Sequence, residues 1–574
     1  MELTRDTNKK LRITMHQKTA QEWFNDTTIP LLGELLYATD TQILKIGDGI
    51  HYWYQLDEYT GGDTTNQYFE YGLRWKIAET DPTKDERVIR YGGVILPWSI
   101  TYTRNDIADG TGIHDNPFDK IALFAPQIVT DSKGNKFSAF KKFYVNTSET
   151  NEGYQYLWVC EKQINNNYHL PRAFKKWNSS TNALEEYWDF YDIGCYEGSS
   201  EASGGTTYLR SVAGAIPIHN VQRKDCNTYA KANNSSTAAD LDYERYNITQ
   251  ISELTEMLQP LMAIIYGTHN AQLVYQGNTG AAFTGGLSVG SGMGWDSTNK
   301  ILYIAIGSDN YTVEKLAEFH KDAVVRVQNS STASDAAGNS GLCPIIKAEE
   351  KVEDTAGTLF TGSVAGQHYW AITLDSTNLT VTPSTSTYLF SRPALTGQTD
   401  AIAATSGTLD NSGHESASYG TGGRYSFKVM NIENVYGNIW KHVLDCSIGS
   451  YYPYLLKDVD TNVNIDDAST LNTTNYERAN YTVLQTSNQY IKTINWSAQL
   501  FGAHLPTAGS SASDIDYGDY YWISSGNRTA LFGGALGNGA RAGLFCWHLN
   551  GALGDSGWGH GARLSRRRKQ RPEA

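Results

Sequence analysis

The chain has 574 residues, of which 19% are charged, and a net charge of −14. That length allows several domains with ordinary cores, and the acidic balance argues against a nucleic-acid partner, because phosphate neutralisation needs clustered Lys and Arg. With 53 Gly, 37 Tyr and 12% aromatic residues, the composition predicts a mainly β chain with a few helices, an α+β fold rich in turns. No run approaches the roughly 18 apolar residues of a membrane span, and MELTRDTNKKLRITM lacks the apolar stretch of a signal peptide. No membrane insertion is expected, and synthesis is expected in the cytoplasm. The six cysteines form no CxxC pair and read as reduced, buried small hydrophobes.

Residues 11 to 15 (LRITM) alternate like a short strand, and 17 to 25 (QKTAQEWFN) place Ala20, Trp23 and Phe24 on one helical face. Two short strands follow, joined through Thr39 to Gln42 and closed by a Gly47-Asp48-Gly49 turn. A unit this small cannot bury enough surface alone, so packing against copies of itself is expected. Leu11-Arg12, Thr19 to Trp23, Gly33-Glu34-Leu35, Thr39-Asp40-Thr41, Lys45 to Gly49 and Trp53 together resemble the N-terminal domain of phage tail fibres of the major tropism determinant type. The resemblance implies that residues 1–60 form an intertwined β-prism that trimerises and attaches to other phage tail or baseplate proteins.

Residues 61–68 read as a Gly/Thr-rich linker. Residues 69 to 213 hold strand candidates such as RVIRYGGVIL, KIALFAPQIV, KFYVN and YQYLWVCEKQI. Tyr196-Glu197-Gly198 and Leu209 to Pro217 resemble the central part of phage C-type-lectin-like fibre proteins. Two helices are predicted next, at 222 to 232 and at 241 to 266, the second carrying Ile248, Ile251, Leu254, Leu258, Leu261 and Ile265 at helical spacing and broken or kinked at Pro260. The first part of the lectin-like domain thus spans 69–279. Residues 280–423 are rich in Gly, Ser and Thr, with strand-like KILYIAIG, AVVRVQN, HYWAITL and TYLFSRP and a helix candidate capped by Thr312. They read as a β-rich insertion.

RYSFKVMNIENVYGNIWKHVLDC resembles the ENxxGNxWxWV phrase of the formylglycine-generating-enzyme type of lectin fold, through Glu433, Asn434, Gly437, Asn438 and Trp440, with His442 where a second Trp often stands. This second part of the domain spans 424–565 and ends in a segment with ten glycines between Gly533 and Gly561 and no Lys, Glu, Gln or Met over 530–565. Alternation over Gly543 to Asn550 predicts Phe545, Trp547 and Leu549 in the core, with Cys546 and His548 on display. FGG, NGARAGLF and GARLS resemble the variable region of C-type-lectin-like proteins diversified by retroelements, in which adenines of Asn codons are randomised. The resemblance implies a variable region at about 527–565 with diversified, receptor-binding positions Ala535, Gly537, Asn538, Arg541, Cys546, His548, Gly551, Asp555, Gly557, Gly559 and His560. Trp440, Phe545, Trp547, Leu549 and Trp558 would be fixed scaffold. Residues 566–574 read as a solvated basic tail.

No catalytic residues are expected. Cys546 is the sole cysteine after Cys446, so the cysteine pair of the related oxidase is missing. Cys546, His548, Asp555 and His560 have metal-ligand and nucleophile chemistry, but the glycine-rich segment offers them no supporting shell, so no metal is assigned. The calcium-dependent sugar motifs EPN, QPD and WND are absent. The acidic run Asp458 to Asp467 could take a structural calcium but reads better as a solvated loop. The expectation is a homotrimeric phage receptor-binding protein at the tail-fibre tip of the virion, its partner a host-cell surface protein or glycan. A tail-associated polysaccharide depolymerase and a retroelement-diversified bacterial surface lectin are the alternatives.

Overall fold

The structure, a computed structural model, describes all residues except 1–2, 6–10, 14–15, 31–34, 39–42, 47–51, 57–68, 92–93, 99–115, 308–310, 336–337, 410–424, 486–487, 499–501, 514–515 and 572–574. The turn at Gly47 to Gly49, the Thr39 to Gln42 connection and the linker at 61–68 therefore lie outside the described residues. The rest is mainly β with a few short helices.

At the N-terminal end Thr19 caps the helix Ala20–Phe24, its hydroxyl accepting from the Glu22 amide while the Glu22 carboxylate takes the Thr19 amide. Such a reciprocal box satisfies two orphan donors. The cap aims Ala20 and Trp23 into a small cluster with Leu36, Ala38, Trp53 and Leu56. Beside it Leu35–Ala38 pairs antiparallel with Ile43–Ile46 and parallel with His16–Lys18. Phe24 reaches the adjoining body at Trp98, and Gln55 donates to the Lys120 carbonyl at 2.6 Å. This unit thus finds part of its burial on its own chain.

Three sheets build the body. Tyr144–Asn146, Tyr154–Cys160, Glu70–Lys76, Glu86–Tyr91 and Val94–Pro97 line up in one antiparallel sheet. A second runs Glu244–Ile248, Leu564–Arg568, Phe190–Gly194, Lys136–Lys141, Gln127–Thr130. The third, of nine strands, has Trp440–Gly449, Asn527–Phe532, Trp547–Leu549 and Tyr520–Ile523 as consecutive neighbours. A π-helical turn Glu253–Leu258 runs into the α-helix Gln259–Tyr266, buried at every residue. The predicted helix at 241–266 is therefore half right: its first residues, Glu244–Ile248, pair as a strand, and the helix runs through Pro260, which follows directly on the π-helical turn. Leu287 to Arg392 contribute a separate seven-stranded sheet with its own apolar cluster around Leu302, Val325, Cys343 and Leu389. The Thr312-capped helix is a single turn, Val313–Leu316.

The largest departure is at the C-terminus. Residues 566 to 568 are no solvated tail: Leu564–Arg568 is an inner strand, paired on one side with Phe190–Gly194 and on the other with Glu244–Ile248. Arg566 stands opposite Asp192, donates to it from Nε at 2.8 Å and reaches Glu244 at 3.1 Å. Arg568 bonds the same fully buried Asp192 through Nη2 at 2.9 Å, and Arg567 reaches Asp460 and Asn247 at 2.5 and 2.6 Å. A basic run reads as solvated until carboxylates from distant segments are known to meet it. For the same reason the acidic run at 458–467 is not simply solvated: Asp460 goes to Arg567, and Asp466 to the buried Arg223 at 3.2 Å.

Replacing Asp192 by Ala leaves Arg566 and Arg568 without their shared counter-ion inside the sheet. The variant should lose about 3 to 5 kcal/mol of stability, the range for breaking a buried ion pair from one side, measured by chemical denaturation.

Candidate functional site

The glycine-rich segment is held by a polar assembly beneath it. Asn434 and Asn438 adopt φ of 45° and 56°, a left-handed conformation that Asn tolerates better than most residues. This geometry turns Asn438 inward, where its Nδ2 bonds the Glu197 carboxylate and its Oδ1 accepts from the Ala394 amide at 2.8 Å. Glu197, 0% exposed, pairs with Lys441, 2% exposed, at 2.8 Å, and Lys441 also donates to the Gly437 carbonyl at 2.7 Å. Burial pulls the Lys441 ammonium down to about 8, against the attraction of Glu197. Glu433 accepts from the Gly397 and Thr399 amides at 2.9 and 2.8 Å, and Arg563 donates to the Glu433 and Asn434 carbonyls. Residues of the Tyr196-Glu197-Gly198, ENVYGNIW and GARLS phrases thus meet in one buried network, joined by Ala394 to Thr399.

Backbone bonds carry that network upward. Gly437 donates to the Gly533 carbonyl, Leu536 to Asn438, Gly539 to Thr279 and Trp440 to Gly559, at 2.8 to 3.1 Å. The far side of the loop turns around Asp519, which accepts from the Phe545 amide at 2.7 Å and from Gln272 at 3.1 Å. Gln259 Nε2 donates to the Leu544 carbonyl at 3.0 Å. A side chain at Gly543 would overlap the Asp519 carboxylate, and one at Gly534 would overlap Ala542; glycine is required at both by close approach.

The eleven candidate positions separate under this geometry. Gly537 and Arg541 are exposed; Asn538, His548, Asp555, Gly557 and His560 are half-buried. Ala535, Cys546, Gly551 and Gly559 are buried, which corrects the placing of Cys546 on display and leaves these four candidate positions away from the surface. Cys546 is 0% exposed and packs with Trp440, Leu531 and Ala535. Its prediction failed because the strand is just Trp547–Leu549: Cys546 closes a turn onto the Gly543 carbonyl, so two-residue alternation does not reach back to it. Phe545, Trp547 and Leu549 are in the main core and Trp440 is 5% exposed. Trp558 is half-buried, with the Arg392 guanidinium 4.5 Å above its ring. The scaffold under that tryptophan comes from the sheet at 287 to 392.

Three outward rings were not anticipated. Tyr520 and Trp522 lie half-buried on the strand Tyr520–Ile523, whose alternate residues Tyr521 and Ile523 face the core. Tyr490 meets Tyr520 at 4.9 Å, Tyr520 meets Trp522 at 4.7 Å, and Trp522 meets Trp440 at 5.6 Å. Trp440 then contacts His548 at 5.4 Å, and His548 contacts His560 at 5.7 Å. Arg541 lies 4.9 Å above Tyr520. The two-residue period of YYWI was the signal that could have found Tyr520 and Trp522. Burial pushes His548 down to about 4, helped by the neighbouring His560.

Among the described residues no group of three or more His, Cys, Asp or Glu is arranged to hold a metal ion, and no helix is long and apolar enough to cross a membrane. No protein-family model and no curated protein matches the chain. A solved structure, "Major Tropism Determinant U1 Variant", aligns over 97% of this chain and 100% of that one at 9% identity, with a TM-score of 0.12. A superposition of that quality carries no argument about fold or function.

Trp547→Ala should destabilise by about 3 to 5 kcal/mol as a buried large aromatic, whereas Arg541→Ala should stay within about 0.5 kcal/mol; thermal unfolding of the pair checks the face assignment. Burial raises Asp519 to about 7, above its unfolded value, so its contribution to stability is fully present near pH 4 and is lost as pH rises towards 7. Asp519→Asn should therefore gain on the wild type by up to about 1.4 kcal/mol per pH unit across that window. Denaturation of both proteins at pH 4, 5.5 and 7 measures the difference.

Proposed function

We propose that this chain is a receptor-binding, tropism-determining protein of a phage tail fibre, using residues 533–561 and their aromatic flank as the contact face. One observation carries the reading. A segment whose sequence resembles a retroelement-diversified region is tied at both ends into buried structure while Gly537, Arg541 and the half-buried Asn538, His548 and Asp555 stay at the surface. Such an arrangement permits exchange of surface residues without disturbing what holds them. The entry side is fixed by the strand Asn527–Phe532 and the exit side by Leu564–Arg568. In this reading residues 1–60 attach to the virion tail and bring three copies together, so that weak contacts combine through effective concentration. Binding without catalysis is the proposed activity, and the host-cell surface receptor is the proposed partner.

Exchanging Arg541 for Glu should change which strains of a bacterial panel the labelled full-length protein binds, with its melting temperature unchanged. Flow cytometry and thermal denaturation read the two effects. Binding identical to wild type across every strain would remove residue 541 from the contact face, and a monomer mass by light scattering would overturn the trimer.

A further inference from the structure

The outward face combines rings with unused, uncharged polar atoms. His548 Nδ1 and His560 Nδ1 are buried without a hydrogen bond, the second lying 4.0 Å from the Asp555 carboxylate. Among the described residues no hydrogen bond is made to either imidazole or to the Trp522 indole nitrogen. Burial keeps His548 neutral down to about pH 4, so it offers one donor and one acceptor, never a full charge. The orphan at Nδ1 is cheaper as a lone pair than as a stranded N–H, which leaves Nε2–H of His548 to donate outward. At His560 the buried Nδ1 is likewise without a hydrogen bond, 4.0 Å from the Asp555 carboxylate, which leaves Nε2 as the ring's other polar atom. The two rings, 5.7 Å apart, thus offer neighbouring imidazole nitrogens, groups that can donate to or accept from hydroxyls.

Two charges border the strip, the exposed Arg541 at one end and the half-buried Asp555 at the other, and the remaining cations are engaged elsewhere. Arg392 is paired with Asp335 at 2.6 Å, Arg528 donates to the Asn550 carbonyl at 3.1 Å, and Arg541 rests on Tyr520. Nor is the face an aliphatic one: the exposed large hydrophobic residues Ile29, Ile77, Ile128, Val313, Ile346, Val352 and Val364 belong to other parts of the chain. Flat rings with neutral polar tips and, among the described residues, no exposed large aliphatic side chain suit a ligand that has apolar ring faces and many hydroxyls.

We propose that the strip from Tyr520 through Trp522 to His548 and His560 binds a neutral saccharide of the host surface, a sugar ring lying against Trp522 and its hydroxyls bonded to the two imidazoles. The inference rests on the receptor-binding reading and narrows the receptor to a glycan. The test uses labelled full-length protein on a panel of bacterial strains, with cells left untreated, oxidised by mild periodate, or digested by protease. Periodate should abolish binding and protease should leave it. Trp522→Ala should weaken binding at least about tenfold, with Trp522→Phe keeping most of it because a ring face remains and thermal unfolding showing both variants folded. Loss after protease with persistence after periodate, or wild-type binding by folded Trp522→Ala, overturns the saccharide assignment and leaves receptor binding standing. Failure to bind any strain overturns the receptor reading, and the saccharide with it.

Discussion

The salt bridge between Glu197 and Lys441 is the constraint on which the surface formed by residues 533 to 561 depends. Removing two charges from water costs several kcal/mol per ion, and their attraction offsets this when the remaining donors and acceptors are also satisfied. Here Asn438 caps the second Glu197 oxygen and Gly437 accepts from Lys441. The bridge therefore works through its neighbours, since it fixes the left-handed turn at Asn438 whose carbonyl receives the Leu536 amide. A hydrophobic replacement could pack the same volume, but it could not specify where residues 533 to 539 attach. Polar satisfaction at depth is what sets position at the surface.

The second constraint is topological. After its last surface residue the chain returns through His560–Gly561, parallel to Trp440 and Lys441, and continues as the inner strand Leu564–Arg568. A loop whose two ends are both in sheets loses little order when its middle changes, because strand pairing and the Asp192 contacts lie outside it. This explains how ten glycines between Gly533 and Gly561, entropically costly as they are, coexist with a definite path. Several are demanded by contact: Gly543 lies against Asp519, Gly534 against Ala542 and Gly561 against the Ile218 carbonyl.

What the sequence disclosed follows the range of the forces involved. Local signals were legible: the helical face of Ala20, Trp23 and Phe24, the strand runs at 301–305, 324–328 and 368–374, and the burial of Phe545, Trp547 and Leu549. Misreadings arose where a distant partner decides. Arg566 reads as a solvated cation because Asp192, 374 residues away, is what buries it. Cys546 reads as exposed because the turn at Gly543 that ends the strand depends on Asp519. Residues 244–248 match a helical stripe yet pair as a strand, because Leu564–Arg568 offers an unfilled edge. Tyr520 and Trp522 were overlooked for another reason: alternation is visible in YYWI, but which face is outside is fixed by Trp547, the partner of Tyr521 across the parallel pair.

That pair also separates two kinds of residue on the face. Trp522 stands opposite His548 in the register of Tyr520–Ile523 with Trp547–Leu549, so a ring from a regular strand adjoins a ring from the segment that resembles a diversified one. Tyr490, Tyr520 and Trp522 come from strands that precede residue 527, while Arg541, His548 and His560 come after it. If substitution is confined to the later group, each variant keeps the same aromatic floor and alters the groups at its edge. Aromatic rings supply large contact area at small entropic cost, and the edge decides which hydroxyls or charges are matched. Under the proposed function, a surface built this way would retain a general affinity through its floor while its edge is resampled, because the floor is anchored by the same sheet that buries Trp547.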